Sequence, residues 1–120
     1  MSLSTDQTPF LVAVEIATRY PGVELSTAQG TPALTVDGRL LARLRLEAEG
    51  WLLTRCDLQT REQLLLEAPA AFHVNVHLVD YPMVLIDLDV VPRDTLARVL
   101  EDAWRQSASP ARLQQFEGMQ

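Results

Sequence analysis

The chain has 120 residues, and its 16 acidic and 10 basic side chains give a net charge of −6 at pH 7. This length predicts a single domain over residues 1–120. A hydrophobic content of 48% with 22% charged residues is typical of a folded globular protein and excludes a disordered one. The acidic balance argues against a protein that coats nucleic acid or binds anionic membranes without specificity.

Three features of the sequence indicate the cellular compartment and the source of the protein. Cys56 is the only cysteine, which favours a reducing compartment because no internal disulfide can form. Residues 1–9 lack the basic and apolar regions of a signal peptide, and no apolar run is long enough for a bilayer. All ten basic residues are arginine, as a GC-rich bacterial genome would produce. We therefore expect a cytoplasmic bacterial protein without a membrane partner.

The first half of the chain predicts one helix followed by strands. Thr8-Pro9 is typical of a helix start, and Tyr20-Pro21-Gly22 is typical of a helix end. Strands are expected over residues 24–29, 32–36 and 39–48. The second and third of these are joined by Asp37-Gly38, which is a strong signal for a two-residue hairpin turn.

The next segment leaves one register open. Glu49-Gly50 turns the chain into a strand over residues 51–56. A two-residue loop and a three-residue loop would place Arg55 on opposite faces of the sheet. A short helix is then expected, capped by Thr60 with Gln63 at the capping-box position and ended by Pro69.

A second hairpin is predicted from alternating apolar residues over 72–78 and 84–90. If both apolar rows face one core, Val76 lies opposite Ile86. That register places His73 opposite Asp89 and Asn75 opposite Asp87. The resulting polar face would hold His73, Asn75, His77, Asp87 and Asp89.

The C-terminal part predicts two helices and completes the fold class. The first begins near Pro92 or Arg93 and has an apolar stripe formed by Leu96, Val99, Leu100, Ala103 and Trp104. The second begins at Ser109-Pro110. Trp51, Trp104 and Phe116 are expected in the core or at its edge. The order of elements predicts an α+β fold, an antiparallel sheet with helices on one face and with N- and C-terminal helices flanking the strands.

No motif for catalysis or for a cofactor is present. The sequence lacks a P-loop, a dinucleotide-binding glycine pattern, a hydrolase elbow and a Cys-x-x-Cys pair. Cys56 ends an alternating strand, where a lone cysteine usually fills the core. His73 and His77 would stand about 13 Å apart on one strand, which is too far to share a metal ion. We expect no catalytic residue, metal or cofactor.

Four arginines, Arg39, Arg43, Arg45 and Arg55, lie within 17 residues of an otherwise acidic chain. A β-hairpin with several arginines is a candidate for contact with phosphate groups. The alternative is that these arginines only solvate the strand and pair with Glu47 and Glu49.

Three stretches resemble a known family: Tyr20-Pro21-Gly22-Val23-Glu24, Gly30-Thr31-Pro32-Ala33-Leu34, and Val36-Asp37-Gly38-Arg39-Leu40-Leu41-Ala42. They resemble the MmcQ/YjbR-like family of small bacterial proteins, with an arginine where that family usually has lysine. The resemblance extends from about residue 10 to residue 116. It implies a CyaY-like α+β fold, similar to frataxin and to the double-wing DNA-binding domain of a phage transcription activator. No catalytic residues are established for the family. Iron binding is not implied, because the first helix offers only Glu15 with Asp6 before it.

Two functional hypotheses follow, with an enzyme as a third. The first is a non-enzymatic module that binds DNA weakly and in a salt-sensitive way, by resemblance, through Arg39, Arg43, Arg45 and Arg55. The second is a domain that binds another protein or a small ligand through the polar face from His73 to Asp89. The weak first strand is a candidate edge for pairing, so the chain is expected to be a monomer or a weak dimer.

Overall fold

The computed structural model describes residues 8–119. Its helices are α1 (Thr8–Ala17), α2 (Leu58–Glu67), α3 (Arg93–Ser107) and α4 (Pro110–Gly118). Its strands are β1 (Val23–Ala28), β2 (Thr31–Val36), β3 (Arg39–Leu44), β4 (Leu52–Arg55), β5 (Phe72–His73) and β6 (Met83–Ile86). The strands form one antiparallel sheet in the order β1-β2-β3-β4-β6-β5. The predicted α+β class is confirmed. None of the helices described here is long and apolar enough to cross a bilayer.

The core lies between one face of the sheet and the helices. The predicted stripe of α3 is buried and packs with Phe10 of α1 and with Leu34 and Ile86 of the sheet. Trp104 is fully buried, and its indole N–H donates a 2.9 Å hydrogen bond to the carbonyl of Pro21. A buried indole N–H needs an acceptor, and this bond fixes α3 against Pro21 in the turn that follows α1.

Two tight turns connect the first three strands. Asp37 and Gly38 both have positive φ, 50° and 84°, and Val36 lies opposite Arg39. This is the two-residue hairpin that the sequence predicts, since a turn with two left-handed residues matches the twist of its strands. Gln29 and Gly30 form a second turn of the same kind between β1 and β2.

β3 is shorter than predicted, and its end resolves the open register. The N–H groups of Ala48 and Gly50 both donate to the carbonyl of Arg45, so the chain leaves the sheet after Leu44. The loop that follows is longer than either of the two lengths considered from the sequence. It pairs Arg43 with Leu53, which places Arg55 on the same face as Arg43.

A β-bulge changes the face of the residues at the start of β3. Leu34 lies opposite Ala42, but Thr35 lies opposite Leu40, so Leu41 has no partner on β2. The extra residue shifts the alternation of the strand by one position. Leu41 is consequently buried in the helix-side core together with Ala42.

The helix after β4 begins earlier than predicted. Its cap is Asp57, whose carboxylate accepts hydrogen bonds from the N–H of Thr60 at 2.7 Å and from its hydroxyl at 2.9 Å. Asp57 therefore takes the place that the sequence analysis gave to Thr60. The helix ends at Glu67, before Pro69, as predicted.

The predicted second hairpin was wrong in both length and register. Phe72 lies opposite Ile86 and His73 opposite Leu85, which is a slip of four residues from the prediction. β5 stops at His73 because the side chain of Asn75 accepts bonds from the N–H groups of His77 and Leu78 and folds the chain into a turn. These side-chain hydrogen bonds of Asn75 take the place of the backbone hydrogen bonds that a longer β5 would make with β6.

Candidate nucleic-acid interface

One row of residues crosses the side of the sheet that faces away from the helices. Directly paired positions place Ala33, Arg43, Leu53, Leu85 and His73 on this side, which we call the outer face. The residues next to them in sequence are buried in the helix-side core. Since side chains alternate along a strand, the residues of this row point away from the helices. Ala33, Arg43, Leu53 and Leu85 of this row are buried, so a partner would meet the more exposed side chains around them.

Two aromatic rings stack on the outer face. The centroids of Trp51 and His73 are 4.1 Å apart, and the ring planes differ by 15°. Both side chains are half-buried, and they lie on the same face as Leu53 and Leu85. The sequence predicts Trp51 in the core or at its edge. The structure places it on the outer face, because the loop after β3 pairs it with Arg45.

Arg43 is the most enclosed of the four arginines. Its guanidinium forms a two-pronged pair with Glu47, at 3.2 and 2.8 Å, and also donates to the hydroxyl of Thr31 at 3.2 Å. The pairing with Arg43 lowers the pKa of Glu47 from its usual range. Only 7% of Arg43 is exposed, and its charge is already paired with that of Glu47.

Arg45 faces a looser acidic partner. Its Nε lies 3.5 Å from a carboxylate oxygen of Glu49 and makes no hydrogen bond within residues 8–119. An ion pair at this distance contributes little and can be exchanged for a better acceptor. Because this Nε is buried, an anion that approaches the outer face would meet the two terminal nitrogens of Arg45, which make no hydrogen bond in the described chain.

Arg55 differs from both in having no carboxylate within salt-bridge distance in the described chain. Its Nε donates a 3.0 Å hydrogen bond to the carbonyl of Leu40, which fixes the direction of the side chain. The two terminal nitrogens make no hydrogen bond in that region. Arg55 thus presents an oriented, unneutralised guanidinium on the outer face.

Arg39 is separated from the other three by the bulge. It lies opposite Val36, whose side chain is in the helix-side core, so Arg39 belongs to the helix side of the ladder. Arg39 is exposed at the end of the hairpin. The sequence predicts one site with four arginines. The structure places Arg43, Arg45 and Arg55 on the outer face and Arg39 on the other side of the sheet.

Comparisons with known proteins agree with this architecture. A sequence model of the YjbR family matches residues 18–106. The chain belongs to the YjbR family. The chain is also similar to the crystal structure of a Deinococcus radiodurans protein, DR2400, which has a DUF419 domain, with 18% identity and a TM-score of 0.70. The similarity covers 91% of this chain and 90% of that one, and at this identity it shows the fold alone. The comparison with curated proteins found no significant match.

The polar residues of the predicted second hairpin do not form a cross-strand row in this YjbR domain. Asn75 caps its own turn, and the carboxylate of Asp87 accepts a 3.0 Å bond from the N–H of Asp89. His77 is exposed in the loop after β5, whereas His73 stacks on the outer face. The facing pairs expected from the sequence are therefore absent, because the ladder on which they depended is replaced by turns.

A polar cleft lies between α2 and α3 of the YjbR domain. It has a volume of about 160 Å³ and is lined by Thr60, Gln63, Leu64, Glu67, Arg98, Val99 and Asp102. Partial burial, reinforced by the nearby Glu101, raises the pKa of Asp102. The lining includes neither a histidine nor the thiol of Cys56. The lining combines a hydroxyl, an amide, two carboxylates and a guanidinium, and the hydroxyl of Thr60 is already bonded to Asp57 at the start of α2.

Cys56 fills the core, as the sequence predicts. It is 3% exposed and belongs to the helix-side cluster. Burial, with a smaller contribution from Asp57, raises the pKa of its thiol to about 12. A thiol that stays protonated at neutral pH is a poor nucleophile, so Cys56 has the chemistry of a core residue.

Arg61 has a structural role that the sequence did not predict. Its guanidinium is buried and donates to the carbonyls of Leu78, Val79, Tyr81 and Met83 at 2.7 to 3.1 Å. These bonds hold the loop between β5 and β6 against α2. Its position one turn before Leu64 on the buried side of α2 was the available signal, since an arginine there needs internal acceptors.

Proposed function

We propose that this YjbR domain is a non-enzymatic module that binds DNA weakly through the outer face of its sheet. The observation that supports this most is the common direction of Arg43, Arg45 and Arg55, which follows from the pairing of Arg43 with Leu53. Guanidinium groups are suited to phosphate because they offer several N–H donors in a planar fork.

Arg55 is the first contact in this proposal. Its side chain is held by the carbonyl of Leu40, so little conformational freedom is lost when its free terminal N–H groups meet a phosphate. Arg45 would follow by exchanging the loosely placed Glu49 for a second phosphate. Arg43 would contribute last, because its two bonds to Glu47 must be broken first.

The acidic partners explain why the binding should be weak. Each phosphate that replaces a glutamate gains one ion pair and loses another, and the whole chain repels a polyanion through its charge of −6. Contact is then confined to the outer face, and it depends strongly on salt. With one to three phosphate contacts, log K should fall with log salt concentration with a slope between about −0.7 and −3.

Trp51 favours unpaired bases in this proposal. Its ring is half-buried and stacks on His73 in the same surface as Arg55. Proteins that bind single strands combine arginines with aromatic rings on a sheet, because every base has a face that can stack. We therefore expect a single-stranded oligonucleotide to bind at least as well as the duplex of the same sequence.

Fluorescence anisotropy with a labelled single strand and its duplex at low salt tests the proposal. Arg55→Gln keeps an N–H donor for the Leu40 carbonyl but removes the charge, and it should weaken binding about fivefold or more. Arg39→Gln makes the same change in net charge on the other side of the ladder and should have an effect below about twofold. Circular dichroism confirms that both variants are folded. No binding at low salt, or equal losses in both variants, would reject the proposal.

A further inference from the structure

β1 is an exposed edge of the sheet, and its sequence protects it with only one charged residue. It pairs with β2 in regular register over six residues and has no other strand beside it within residues 8–119. Natural edge strands are usually blunted by proline, by a bulge or by charged side chains. β1 has the sequence VELSTA, which has one charged residue, Glu24, and neither a proline nor a bulge.

The register fixes which backbone groups of β1 face outward. The carbonyl of Gly22 accepts a bond from the N–H of Asp37, and bonded pairs alternate along an antiparallel ladder. Glu24, Ser26 and Ala28 therefore bond to β2. The N–H and C=O groups of Leu25 and Thr27, with the C=O of Val23, point away from the sheet.

The exposed side chain on this edge is apolar. Leu25 is 58% exposed, although its partner across the ladder, Leu34, is fully buried in the helix-side core. Leu25 thus extends the apolar side of the sheet to the edge, where no helix covers it. A second strand added to β1 would cover both the free backbone groups and this leucine.

We propose that a second copy of this chain pairs through β1, antiparallel to the first, with Leu25 at the two-fold axis. In this register the outward groups of Leu25 bond to those of its counterpart, and each Thr27 N–H donates to the opposite Val23 carbonyl. The leucines lie side by side on the helix side of a continuous sheet. A two-fold axis at Glu24 would instead oppose two carboxylates, which is unfavourable.

The proposed contact is self-complementary, as a two-fold dimer requires, but it is small. Four backbone hydrogen bonds and one leucine pair are fewer contacts than a permanent dimer has, so the dimer should form only at high protein concentration. Neither Arg55 nor Trp51 lies on β1. The dimer and the nucleic-acid site can consequently be tested separately.

Sedimentation equilibrium from about 10 µM to about 1 mM tests the proposal, since the average mass should rise from 13.4 kDa toward twice that value. Leu25→Arg places two like charges at the axis and should keep the chain monomeric throughout. Leu11→Arg is the matched control, because Leu11 is exposed to the same degree, 57%, but lies on α1. A chain that stays monomeric at the highest concentration, or a dimer that Leu25→Arg leaves intact, would overturn the proposal.

Disulfide trapping tests the register. Leu25→Cys should form a covalent dimer under mild oxidation, since paired strand residues lie within the Cα distance that a disulfide spans. Ser26→Cys and Leu11→Cys should cross-link much more slowly, the first because its side chains would be offset and the second because it lies off the edge. Cys56 is buried and should not contribute. Faster cross-linking of Ser26→Cys than of Leu25→Cys would contradict the proposed axis.

Discussion

Arg43 lies directly opposite Leu53 in the sheet, and this pairing places Arg55 on the same side as Arg43. Arg45, two residues after Arg43, lies on that side as well, next to the stacked rings of Trp51 and His73. A loop with one residue more or fewer would have turned Arg55 into the core. The candidate site is therefore a consequence of the length of the loop after β3.

The acidic partners on the outer face should limit its affinity for DNA. The double variant Glu47→Gln/Glu49→Gln frees Arg43 and Arg45 from their ion pairs, so it should tighten binding by about three- to tenfold in the anisotropy assay. Glu62→Gln/Glu117→Gln changes the net charge equally, at exposed positions without a salt bridge in the described chain, and should alter binding by less than about twofold. Equal gains in both would mean that only net charge matters.

Arg61 should be essential for the loop between β5 and β6. Arg61→Met removes the donor for four carbonyls and should lower the free energy of unfolding by about 3 kcal/mol, as measured by urea denaturation. Amide exchange should accelerate from Leu78 to Met83. Arg98→Met, at an exposed position, should change stability by about 0.5 kcal/mol or less. A loss below about 1 kcal/mol for Arg61→Met would show that the loop does not depend on this residue.

Asp37, in the turn between β2 and β3, should have a lowered pKa because of its contact with Arg112 of α4. The guanidinium of Arg112 donates to the carboxylate of Asp37, at 2.9 Å for the shortest bond, and lowers the pKa of Asp37 from 3.8. A lowered pKa stabilises the fold above 3.8, and this contribution is lost as the pH falls through the folded value. Arg112→Gln should move the pKa of Asp37 back toward 3.8 in an NMR titration of the carboxyl carbon. Arg105→Gln, whose partner is Glu101, should leave Asp37 unchanged.

Cys56 should be chemically silent in the folded protein. Since burial raises the pKa of its thiol from 9.0 to about 12, very little thiolate exists at pH 8. Ellman's reagent should react slowly with the native chain and at once with the urea-denatured one. The raised pKa also means that this thiol's contribution to stability is complete below pH 9.0 and is lost as the pH rises toward about 12. Rapid, stoichiometric labelling of the native protein would contradict this placement.

The sequence predicted local features well where one signal was sufficient. The Asp37-Gly38 turn, the stripe of α3 and the start of α4 at Ser109-Pro110 all follow from local chemistry. The second hairpin failed because alternation is equally compatible with registers that differ by an even number of residues. The long strand does not form because Asn75 folds the chain into a turn and Arg61 binds the carbonyls of the loop that follows. The alternation of apolar and polar residues carries no information about either contact.

The candidate site was predicted only in part for a similar reason. The concentration of arginines was visible in the sequence, but a bulge at Leu41 moved Arg39 to the other side of the ladder. The loop after β3 moved Trp51 out of the expected core environment and onto the outer face. A single inserted residue reverses a side chain's direction, so sites on twisted, bulged sheets need the register before their members can be known.

The most direct test of the outer-face site is to map the amide shifts of the ¹⁵N-labelled chain as a single-stranded oligonucleotide is added at low salt. We expect the shifts to concentrate at Arg43, Arg45, Trp51 and Arg55, with the Trp51 indole N–H among the largest, and to reverse when salt is raised. Shifts confined to α2 and α3, or no shifts at millimolar oligonucleotide, would contradict the account.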